Sequence, residues 1–99
     1  MMNDMRIALT YLLEQTSQAH GEYETTLLNG VYDLNWPRWY AHWALEHGLD
    51  ELLNSSLSVE DLGELLDAIN QQHQFHSQGL SWAQFTAYHL AKIYANQRG

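Results

Sequence analysis

The chain has 99 residues, 12 of them acidic against 4 basic, a formal net charge of −8 and no cysteine. Four scattered cations (Arg6, Arg38, Lys92 and Arg98) cannot track a phosphate backbone, so neither nucleic acid nor an anionic membrane surface is expected as a partner. The missing cysteine excludes disulfides, thiolate catalysis and Cys-based zinc sites, and fits a cytoplasmic chain.

The first helix is expected to open near Asn3 or Asp4. Met5, Leu9, Leu12, Leu13 and Thr16 recur at helical spacing and form one stripe. Gly21 offers one end for this helix, at His20. Asn29-Gly30 offers a later one, beyond Tyr23 and Leu27. Val31-Tyr32-Asp33-Leu34 reads as a packed connector. A second helix follows from Asn35, a good N-cap residue, with Pro37 tolerated in the first turn, and stops at His47-Gly48. Leu49 to Asn54 adds at most a short turn.

The third helix starts at Ser58, with Asp61 in its first turn, and runs to about Ser77 on a Leu62, Leu65, Leu66, Ile69 face. Gly79 breaks the chain. Ser81-Trp82-Ala83-Gln84 has the capping-box pattern and opens a fourth helix that runs to about Asn96. No alternating β-branched run is present, so no strand is expected. Ile7 to Leu13 is too short an apolar run for a signal peptide, and no stretch is long enough to span a bilayer.

Trp36-Pro37-Arg38-Trp39-Tyr40-Ala41 is answered later by Trp82-Ala83-Gln84-Phe85-Thr86-Ala87. Trp matches Trp, an aromatic matches an aromatic, and Ala matches Ala. The leading helices follow suit: Leu9, Leu12 and Leu13 map onto Leu62, Leu65 and Leu66 at one spacing, and His20 maps onto His73. The expected fold is therefore all-α: one domain over 1–99, a four-helix bundle-like arrangement of two pseudo-repeated helical hairpins, 3–54 and 57–97. Neither hairpin could bury its Trp face alone, so the indoles of both halves should share one interior.

Trp36, Tyr40, Trp43 and His47 cluster on one side of the second helix, with Trp39 at its flank. These rings read first as a bundle core; the sharper reading is a pocket for a flat or cationic ligand. His20 and His73 continue apolar stripes, and His89 lies on the Trp82–Ile93 face. Near helix C-termini, His20 and His73 would bond free carbonyls and stack on the Trp that opens the next helix. The rival is a metal site, for which His73-x-x-His76 puts two imidazoles on one face and His42 and Glu46 form an i, i+4 pair. Neither pattern is a specific ligand set. Asp61, Glu64 and Asp67 read as a solvated helix face, and Glu22, Glu24 and Asp33 as solvated connector charges. Tyr11, Tyr23, Tyr32, Tyr88 and Tyr94 suit boundary positions with a wet hydroxyl, and Tyr23 holds the place in the first half that His76 takes in the second.

The Trp-Pro-x-Trp-Tyr-Ala segment, with its looser second copy, resembles a group of small bacterial helical proteins in which a Trp-Pro-x-(Trp/Phe)-Tyr-Ala segment opens one helix and a similar segment lies near the C-terminus. The resemblance implies a compact helical fold and carries over no activity. This chain departs from it at Thr86, where the second copy usually has Tyr.

The expected function is a non-enzymatic small-molecule or protein-interaction module. Trp36, Trp39, Tyr40, Trp43 and Trp82 supply the binding face, and His20, His73 and His89 the polar contacts. No cofactor and no catalytic residue is assigned. A homodimer would help so small a chain bury surface. The alternative is an enzyme or metal-binding protein built on the inward histidines, with His73 and His76 as the candidate ligands.

Overall fold

In the computed structural model, which describes residues 2–95, the chain forms five helices and the described residues contain no strand. They are α1 (Met2–Leu27), α2 (Trp36–Glu46), α3 (Leu49–Leu53), α4 (Val59–Phe75) and α5 (Trp82–Ala95). The radius of gyration, 13.2 Å, is that of a compact chain of this length.

α1 takes the later of its two expected stops. One glycine inside a helix costs only about 1 kcal/mol, and Gly21 lies on an exposed side with nothing near its missing Cβ. The helix ends where Asn29 (φ 52°) and Gly30 (φ 80°) turn left-handed and the Gly30 N–H bonds the Glu24 carbonyl at 2.8 Å. The Leu49–Asn54 stretch is a helix in its own right. It opens after Gly48 (φ 98°) and buries Leu49 and Leu53 completely.

Two helix starts follow the expected chemistry. Ser58 Oγ accepts the Asp61 N–H at 3.0 Å. Ser81 and Gln84 close a reciprocal capping box, Gln84 N–H to Ser81 Oγ at 3.1 Å and Ser81 N–H to Gln84 Oε1 at 3.0 Å. Asn35 departs from expectation. It occupies the N-cap position of α2, but its side chain makes no capping bond. Its own N–H is instead held by Asp33 Oδ1 at 2.9 Å, so an aspartate two residues earlier shapes the entry to the helix.

The broadest interfaces join α1 to α5 and α2 to α4. Leu9 and Leu13 on α1, Leu62 and Leu66 on α4, and Leu90 on α5 lose all contact with solvent, each worth roughly 1.5–3 kcal/mol of transfer free energy. Small residues set the spacing. Ala41 and Ala44 face inward on α2. A Cβ at Gly63 would stand 3.5 Å from the Pro37 carbonyl group, so α4 passes close under the first turn of α2. An exposed Arg38–Glu60 pair at 2.7 Å spans the same contact and adds little in water.

The connector between α1 and α2 is less packed than expected: Val31, Tyr32 and Leu34 are largely exposed. It is held by polar contacts instead of an apolar face, as the next subsection describes. Asn96, the expected end of the last helix, lies outside the described residues.

Candidate functional site

Trp36 and Trp82 meet. Their ring centroids are 6.2 Å apart at an interplanar angle of 83°. Each opens its helix, and each is half-buried. Tyr40, one turn along α2, packs edge-on against both, at 5.1 Å and 78° from Trp36 and at 5.3 Å and 84° from Trp82. Three nearly perpendicular rings from two helices thus form a corner. They line an open cleft of about 360 Å³.

The polar walls of this cleft come from α1 and α4. α1 contributes Ser17, His20 and Glu24, which follow one another down a single face at helical spacing. α4 contributes Asn70 and His73, and Tyr32 reaches in from the connector. Tyr40 O–H donates to Ser17 Oγ at 3.3 Å. Burial raises the Tyr40 phenol above its ordinary value of 10.0. The Ser17 bond offsets part of that rise and the Glu24 charge adds to it, so the hydroxyl keeps its proton at neutral pH.

His20 is buried and anchors the connector. Its Nε2–H donates to Asp33 Oδ2 at 2.9 Å, and Glu24 Oε1 stands 3.7 Å from Nδ1, beyond hydrogen-bond length. Glu24 Oε2 in turn accepts the Asp33 N–H at 3.3 Å. Tyr23, Trp39 and Tyr40 surround the imidazole, with centroids 4.9 to 5.9 Å away.

Two expectations for this region are corrected. His20 lies about two turns before the end of α1, so its partner is a carboxylate and not a free terminal carbonyl. It packs edge-on to Trp39 and tilted against Tyr40, whereas Trp36 turns toward Trp82. Asp33 and Glu24, read from the sequence as solvated charges, are the groups that hold His20 and the connector. The side chain of Asp33 is only 11% exposed.

His73 does bond a carbonyl, that of Leu80, at 2.9 Å through Nε2. That carbonyl belongs to the following connector, and the ring lies against Phe85 and not Trp82. The remaining candidates fall elsewhere. Trp43 stacks on His47 at 3.6 Å and 12°, away from the cleft lining. His89 packs on Phe85 and Tyr88. Burial, and then the Lys92 charge, hold its imidazole below the ordinary 6.5. Trp39 is half-buried behind the cleft, against His20 and Tyr23. His76 is exposed at the C-cap of α4, while Tyr23 packs on Trp39. His42 and Glu46 form an exposed ion pair at 3.1 Å.

Among the described residues, no three His, Asp or Glu side chains are grouped to hold a metal ion, and no helix is long and apolar enough to cross a membrane. No protein family, curated protein or solved structure matches the chain.

The sequence expectation therefore picked out six of the residues that meet in or just behind the cleft: Trp36, Trp39, Tyr40, Trp82, His20 and His73. It missed Ser17, Glu24, Tyr32, Asp33 and Asn70. Ser17 and Glu24 share the helical spacing of His20, and that periodicity was the available signal.

Proposed function

We propose that the chain is a non-enzymatic binding module whose ligand seat is the cleft over Trp36, Tyr40 and Trp82. One observation carries the proposal: rings from α2 and α5 make an apolar corner while α1 and α4 ring it with Ser17, Glu24 and Asn70. Apolar walls with a few convergent polar groups are the common form of a small-molecule site. An enzyme built on His20 has less support. Nε2 bonds Asp33 and Nδ1 faces Glu24, so both ring nitrogens face carboxylates of this chain.

We also infer that the two halves are related hairpins with the cleft at their meeting point. The matched core positions Leu9 and Leu62, Leu13 and Leu66, and Ala41 and Ala87 are all buried to a similar degree. The broad α1–α5 interface has its counterpart in α4–α2. His20 and His73 each extend Nε2 2.9 Å into the connector that follows. Trp36 and Trp82 are then equivalent residues facing each other.

A fragment screen followed by proton–nitrogen NMR tests the seat. Fragments of mixed charge class should shift the indole N–H signals of Trp36 and Trp82, and Tyr40→Leu should abolish those shifts while the protein stays folded. Hits that map only to other surfaces, or hits indifferent to Tyr40→Leu, would overturn the proposal.

A further inference from the structure

We propose that the occupant of this cleft is a small organic cation of the alkylated or quaternary ammonium class. The inference rests on the cleft being a ligand seat and adds the charge and shape of what fills it.

The rings come first. Trp36, Tyr40 and Trp82 stand at 78°, 83° and 84° to one another. Near-perpendicular planes give no parallel slot into which a flat aromatic ligand could slide between two faces. They give a corner, and a rounded group fills a corner. The faces of indole and phenol rings carry negative electrostatic potential, and a cation set against them is attracted. An alkylated ammonium ion has diffuse charge beneath a skin of methyl groups, so it can rest on ring faces without donating hydrogen bonds.

The charge of the walls points the same way. Glu24 is a carboxylate in the lining, and no lysine or arginine is among the lining residues. Asp33 stands directly behind His20 and adds negative charge close by. An anion entering here would meet Glu24 with no fixed positive charge to offset it. The two histidines of the lining direct Nε2–H to Asp33 and to the Leu80 carbonyl. The net charge of −8 over the chain draws a cation toward the surface before it reaches the site. A volume of about 360 Å³ suits a compact ion and leaves room for a short polar tail against Ser17 or Asn70.

Choline and its neutral isostere 3,3-dimethylbutan-1-ol separate charge from shape. They should be titrated into the full chain while the Trp36 and Trp82 indole signals are followed by NMR. Choline should shift both signals and saturate. The isostere should bind about tenfold more weakly or less, as expected for loss of the cation–π and carboxylate attraction. Glu24→Gln keeps an oxygen to accept the Asp33 N–H, and should bring choline down toward its isostere. Trp82→Leu should weaken choline in the same way. Equal binding of choline and the isostere would end the cation assignment and leave the seat standing. Choline that leaves both indoles unmoved, while neutral or anionic fragments shift them, would do the same. No probe of any charge at these indoles would remove the seat as well.

Discussion

Asp33 holds His20. The aspartate lies in the connector after α1, the histidine lies inside α1, and 2.9 Å separates the carboxylate from Nε2. The same carboxylate uses its other oxygen to shape the entry to α2. One side chain therefore fixes where α1 delivers the connector and where α2, with Trp36, begins. Asp33→Ala should leave the buried imidazole N–H without a partner, at a cost of about 1–3 kcal/mol. Urea unfolding measures this, and amide exchange over residues 28–35 should quicken more than exchange in α4.

The contact between Trp36 and Trp82 should be energetically coupled. Each truncation to Ala removes half-buried ring surface, and each should destabilise the fold. A double-mutant cycle should give an interaction of about 0.5–1.5 kcal/mol beyond additivity, the range for edge-to-face aromatic pairs. Additive losses would mean that the rings only touch.

Thr86 Oγ1 is buried without a hydrogen-bond partner among the described residues, in a side chain with no solvent exposure. Thr86→Val keeps the shape and removes the desolvated hydroxyl. It should raise stability by about 1 kcal/mol, visible as a higher urea midpoint with unchanged slope.

Gly63 separates two effects of size. Its added Cβ would find ordinary contact at 3.5 Å with Pro37, and Ala is the better helix former. Gly63→Ala should therefore be neutral or stabilising by up to about 1 kcal/mol. A Gly63→Leu side chain carries three more carbons past that contact with Pro37 and Arg38. It should push α2 off α4 and lower the melting temperature.

His89 gives stability a pH dependence. Its folded-state pKa lies below the ordinary 6.5 because burial, and then Lys92, disfavour the charged ring. The unfolded chain thus binds the proton more readily. Stability from this group is complete above pH of about 6.5 and is lost as acid protonates the unfolded chain first. The urea midpoint of His89→Phe should fall less between pH 7 and pH 5 than that of the natural chain.

The all-helical fold was legible because its signals are local. Ser58 and the Ser81–Gln84 pair announce their helix starts within one turn, and the Leu stripes lie at helical spacing. The repeated Trp motif carried further, since it brought two indoles together, though they meet half-buried in an open cleft and not in the interior. The clasp was not legible. Asp33 gains its meaning only when α1 runs past Gly21 and the chain doubles back, and that depends on a glycine tolerated mid-helix. The aromatic face of α2 was likewise too coarse. Periodicity puts Trp43 beside Trp36 and Tyr40, but neighbouring helices decide which rings share a cleft, and Trp43 pairs with His47 instead.

Trp36 and Trp82 are each the first residue of a helix, so whatever settles on the pair rests on two helix beginnings that are far apart in sequence. Undoing either beginning dismantles the seat, so a guest favours the folded chain over any state that has lost one of them. Occupancy is thereby converted into resistance to heat, and an upward drift of the melting curve with concentration would report a guest before anyone knows its name.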